Sequence, residues 1–110
     1  MNIPKDTIDG EGYPTDEFIE WIRTFDTIKN DPFIFIQIVL DNWYHGDYGW
    51  EIQRAYRGER KVLISTCGWS GNEDMLDALN ENTIFWMVHF YSHQRGGHYV
   101  FKFKKFNPKQ

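Results

Sequence analysis

The sequence predicts an α+β domain: about four antiparallel strands in two hairpins, with helices packed on one face, in the order ααββαββ. Three observations carry that expectation. Two capped apolar segments with helical spacing fall before residue 45. Two pairs of β-prone runs flank turn glycines, at 50–66 and 83–106. A helical pattern at 71–81 separates those pairs, the arrangement expected of segregated helices and an antiparallel sheet. With 110 residues, 41% hydrophobic and 18% aromatic, the chain is long enough for one domain with one core, and it carries no repeat or linker.

Residues 1–12, with two glycines and a proline, read as an irregular lead-in to a single domain spanning 1–110. Tyr13-Pro14-Thr15-Asp16-Glu17 opens the first helix, with Thr15 as N-cap and acidic residues in the first turn. Phe18, Ile19, Trp21, Ile22 and Phe25 keep a helical spacing, which takes this helix to about Lys29. Asn30-Asp31-Pro32 is a break and a restart, Asp31 capping and Pro32 at the first helical position. In Phe33–Tyr44 the β-branched content favours strand and the capping signal favours helix; we assign helix. Gly46-Asp47-Tyr48-Gly49 is a turn, and Trp50–Arg57 with Arg60–Thr66 form a hairpin around Gly58-Glu59. Thr83–Ser92 and His98–Phe106 form the second hairpin around Gly96-Gly97, a dipeptide that accepts the positive φ of such turns.

The junction Cys67-Gly68-Trp69-Ser70-Gly71-Asn72-Glu73 stands between an apolar run and a helical pattern. There Ser70 or Asn72 is expected to cap the helix, and Gly68 or Gly71 to turn with positive φ. Such a junction also offers free N–H groups to an anion, with the Trp69 indole beside them to stack a base and Glu73 to accept from a ribose hydroxyl or base amine. The plainer alternative is a capped helix with Trp69 closing the core.

Charge is uneven. Residues 1–55 hold 4 basic and 11 acidic side chains, net −7; residues 56–110 hold 8 and 5, net +3; the whole is −4. An acidic whole argues against general duplex-DNA binding, but leaves room for a basic strip in the second half. If the last hairpin buries Trp86, Val88, Phe101 and Phe103, then His89, Tyr91, His93, His98, Lys102 and Lys104 share the outer face with Arg95 at its end. That face reads as a binding surface or as a solvated sheet whose lysines blunt an edge.

His89 and His93, four residues apart on a strand, would lie about 13 Å apart and could not share an ion, so no metal site is expected. Cys67 is the sole cysteine, which excludes an internal disulfide or a cysteine zinc site and fits a reducing cytosol. The first residues carry no apolar leader and Phe33–Leu40 is too short to span a bilayer; the expectation is a soluble protein of the cytoplasm. A Cys67–His dyad is conceivable, but no nucleophile, base and orienting group assemble from the pattern.

The Trp69-Ser70-Gly71-Asn72-Glu73 junction and the Arg95-Gly96-Gly97-His98-Tyr99 turn, with Pro14-Thr15-Asp16-Glu17, Trp43…Tyr48-Gly49-Trp50 and Phe85-Trp86-Met87, resemble a family of small uncharacterised bacteriophage proteins over most of residues 13–103. Family members often carry Arg or Lys where this chain has Gln94, so the basic turn is diluted here. The resemblance implies a phage-type protein of the host cytoplasm and transfers no catalytic residue. The expected function is therefore non-enzymatic: action on host machinery by binding a host protein or sequestering a nucleotide-like ligand, with no cofactor. The candidate ligand-binding residues are Trp69, Ser70, Asn72, Glu73, His93, Arg95, His98 and Lys102. The alternative is a small enzyme acting on nucleotides or nucleic acid, with His98 or His93 as acid/base and Arg95 stabilising phosphate charge.

Overall fold

A computed structural model describes residues 2–44, 49–54 and 56–105. The expected turn at Gly46–Tyr48 and the strand end at Phe106 lie outside the described residues. Helix α1 (Asp16–Thr24) begins where Thr15 Oγ1 accepts from the Phe18 N–H, and α2 (Pro32–Asp41) where the Asp31 carboxylate accepts from the Phe33 N–H with Pro32 in the first turn. Both caps fall where the sequence places them. Helix α1 stops at Thr24, short of Lys29, because Phe25 already turns into extended backbone. Asp26 then holds the next turn, accepting from the N–H groups of Ile28 and Lys29.

Strands β1 (Trp50–Arg54) and β2 (Arg60–Ser65) form the first hairpin, joined through a short 3-10 turn at Tyr56–Gly58. Helix α3 (Ser70–Glu81) follows, then a second, shorter helix α4 (Thr83–His89) that runs directly into β3 (Phe90–Gln94) and β4 (His98–Phe103). The sheet is fully antiparallel in the order β1-β2-β4-β3, so the two hairpins meet through β2 and β4. Trp50–Ile64–Tyr99 and Ile52–Val62–Phe101 line up across the strands. Together with Phe103 they present one apolar face to the helices. Phe18, Ile22, Phe35, Ile36, Val39, Met75, Leu79 and Phe85 cover that face and are fully buried.

The helix at 83–89 corrects the sequence reading, in which these residues begin a strand. Asn82 decides it. Its side-chain oxygen accepts from the Phe85 N–H at 3.3 Å, and its amide donates to the carbonyls of Ile22 and Phe25, both at 3.0 Å. One buried residue thus starts α4 and ties it to the end of α1. Phe85 and His89, four apart, turn inward, whereas the strand pattern would bury Trp86 and Val88. Trp86 is half-buried against Phe90 and Phe101, and Val88 is 66% exposed.

The helix α3 junction is also built differently. No side chain caps this helix; Trp69 occupies the cap position. Asn72 is fully buried instead, accepting from the Tyr44 N–H (2.9 Å) and donating to the carbonyls of Tyr44 (2.9 Å) and Thr66 (3.2 Å). Gly68 takes the expected positive φ, 69°. Gly71 is helical and required for a different reason: a Cβ there would lie 2.6 Å from the Trp69 Nε1.

Candidate functional site

The residues singled out by sequence do not gather in one site, and the structure adds a third place to the two that hold most of them. The Trp69 junction lies on the helix side. Its indole stacks on Tyr13 (centroids 4.9 Å) and on Tyr44 (4.6 Å), while Ser70 Oγ lies 3.5 Å from the Tyr13 hydroxyl and Glu73 is exposed in the first turn of α3. Two phenol rings therefore occupy the indole where a base was expected, and the Asn72 side chain is spent on backbone groups. What this loop shares with the second hairpin is structural. The Thr66 N–H donates to the Gly97 carbonyl at 3.1 Å, and Gly97, at φ 78°, packs so closely that a Cβ would collide with Thr66 Oγ1.

The second place is the open face of the sheet, the side away from the helices. Register brings Leu63 beside Val100, Lys61 beside Lys102 and Ser65 beside His98. A broad, shallow concavity of about 1050 Å3 extends over Lys61, Leu63, Val100, His98 and Tyr91, reaching the exposed thiol of Cys67. An irregularity between Phe90 and Ser92 turns Tyr91 onto this side, where Lys102 Nζ lies 3.7 Å above its ring. Arg95 is exposed at the tip of the turn.

The expected gathering of histidines on this face does not form. His98 alone of the three described histidines of the hairpin region faces the concavity. His93 sits opposite Tyr99 on the helix side and stacks on its ring at 4.3 Å. His89 ends α4 in the core, packed on Phe103 at 4.5 Å, with Nδ1 donating to the Lys102 carbonyl at 3.0 Å. Burial pushes the His89 pKa below its ordinary value, against a smaller opposing effect of that hydrogen bond; the ring is a neutral core residue. Among the described residues no group of three or more His, Cys, Asp or Glu side chains could hold a metal ion.

The third place was not anticipated. On α4, Ile84, Met87 and Val88 turn to solvent at 49, 78 and 66% exposure, and Tyr91 continues the stripe at 57%. Spacing of i, i+3 and i+4 puts Ile84, Met87 and Val88 on one exposed face of α4, and Val88 and Tyr91 line one cleft beyond it. The signal was present in the sequence as Asn82-Thr83 ahead of a helical repeat, but a β-prone composition concealed it. Beside the stripe stands the basic corner of the molecule: Arg57, Arg60, Lys104 and Lys105 line a cleft with Asp31, and Lys102 joins Lys104 and Lys105 over a neighbouring cleft with Glu59.

Comparison with protein-family models, curated proteins and solved structures finds no match to this chain. No helix among the described residues is long and apolar enough to cross a membrane.

Proposed function

We propose that this chain is a small non-catalytic protein of phage type that acts in the host cytoplasm by binding a host protein. The observation that supports a protein partner is that the two glycine motifs, though their backbones adjoin at Thr66 and Gly97, turn their candidate side chains to different sides. Trp69 and Asn72 are committed within the fold, while His98 and Lys102 look onto the open sheet on the other side. A small-ligand site would draw these groups into one enclosed pocket with convergent polar atoms. Exposed apolar residues on α4 instead offer the kind of surface that protein partners cover.

One observation favours a second reading, a nucleotide-like ligand on the open sheet: Lys61, His98 and Tyr91 border the same concavity, and Lys102 stands over the Tyr91 ring. The test separates them. The immobilised protein is used to capture host proteins, the candidate is purified, and both it and a panel of nucleotides are titrated calorimetrically. The proposal expects a saturable complex of fixed stoichiometry with the protein and no saturable heat with any nucleotide. Saturable nucleotide binding that Lys61→Ala and His98→Ala abolish would overturn it in favour of the sheet-face ligand.

A further inference from the structure

The groove beside α4 has a shape and a charge that define what fits it. Two clefts, of about 450 and 420 Å3, share Thr27 in their linings. The first is walled by Val88, Tyr91 and Pro32 and the second by Ile84, Ile28 and Phe25. Both lie between α4 and the connection from α1 to α2. These apolar side chains stand among polar ones, Thr24, Asp26 and Thr83 in the second cleft, and Ile28 and Ile84 are each about half exposed (54 and 49%).

The first cleft is strongly cationic. Lys102, Lys104 and Lys105 stand over it, and the one carboxylate that lines that cleft among the described residues, Glu59, lies 4.0 Å from Lys102 Nζ. Arg57 and Arg60 extend the same corner, with Asp31 as the additional acid; the Asp31 side chain accepts from the Phe33 N–H at the start of α2. Among the described residues that line this cleft and that corner, lysines and arginines outnumber carboxylates on a chain whose net charge is −4, so the corner carries a cationic field.

The geometry points to these two neighbouring clefts as the docking surface for an acidic, apolar peptide segment of the partner protein. Its bulky apolar side chains enter between Val88 and Ile84, and its carboxylates meet Lys104 and Lys105. Apolar anchors in a groove supply most of the affinity of such contacts, and complementary charge fixes direction and speeds encounter. This assignment rests on the protein-binding reading above and specifies the partner's chemistry.

The experiment selects 12-residue peptides from a random display library against the wild-type chain. Enriched peptides are synthesised and titrated by fluorescence anisotropy against wild type, Val88→Glu and the pair Lys104→Glu/Lys105→Glu. All three sites are exposed, and circular dichroism melting checks that each variant folds. The expected peptides combine Asp or Glu with Leu, Ile, Phe or Trp. They bind at least tenfold more weakly to each variant, and more weakly to wild type as salt rises. Enrichment of basic or uncharged peptides, no enrichment, or binding indifferent to both variants overturns the assignment. So does concentration-dependent dimerisation that Val88→Glu abolishes, since a second copy would then be the occupant. If the peptides fail while a purified host protein still binds, the groove assignment falls and the protein-binding proposal stands; if neither binds, both fall.

Discussion

Replacing Asn72 distinguishes a helix cap from a buried clamp, because the two roles rank substitutions in opposite orders. Asn72 joins the chain after α2, the exit of β2 and the first turn of α3 through three hydrogen bonds. Asn72→Ala leaves the N–H and C=O of Tyr44 and the C=O of Thr66 without that partner. At about 1–1.5 kcal/mol for each bond, the loss is about 3–4.5 kcal/mol. A domain of this kind has about 5–15 kcal/mol in all, so the loss is a large fraction. Asn72→Asp keeps an acceptor for the Tyr44 N–H but cannot donate to two carbonyls, and it places a carboxylate where the side chain is 0% exposed. It should therefore be at least as damaging as Ala at pH 7. At a cap, Asp would serve as well as Asn. Urea unfolding followed by tryptophan fluorescence measures all three proteins. An Asn72→Asp variant within about 0.5 kcal/mol of wild type, or a loss below about 1 kcal/mol in Asn72→Ala, would refute the clamp.

Asn82→Ala should cost about 3–4.5 kcal/mol by the same reckoning, since it removes two bonds to the end of α1 and the cap of α4; residue-resolved hydrogen exchange should show α4 loosening before the sheet. Gly96→Ala meets only a positive φ and should cost about 1–2 kcal/mol, while Gly97→Ala also collides with Thr66 and should cost more in the same denaturant series. His89 gives a pH effect of definite sign. Its folded pKa lies below the unfolded 6.5, so the unfolded chain binds the extra proton, and stability falls as pH drops from 6.5 towards the folded value. In His89→Phe the part of the stability change between pH 7 and 5.5 that comes from this ring should vanish, measured by unfolding at matched ionic strength.

The elements whose signals are local are the ones legible from sequence. Thr15 and Asp31 act within three residues of themselves, so their caps and helix starts can be read directly, as can the glycine turn between β3 and β4. The apolar inner face of β2 and β4 follows from simple alternation. Asn82 and Asn72 are different, because their partners at Ile22, Phe25 and Tyr44 are 60, 57 and 28 residues away. A β-prone stretch such as Ile84–Val88 becomes helical when a distant carbonyl pair and a buried Phe85 fix its start, a tertiary override of local preference. That one reassignment also rearranged the candidate site. It moved His89 into the core, left Ile84, Met87 and Val88 outside, and opened the groove beside α4.

Hydrogen–deuterium exchange of the chain alone and in complex with its purified partner locates the contact surface directly. The account predicts added protection in Thr83–Tyr91 and in residues 25–32, with the amides of Leu63 and Val100 on the open sheet unchanged. Protection confined to the open sheet, or to the Trp69 junction, would contradict it.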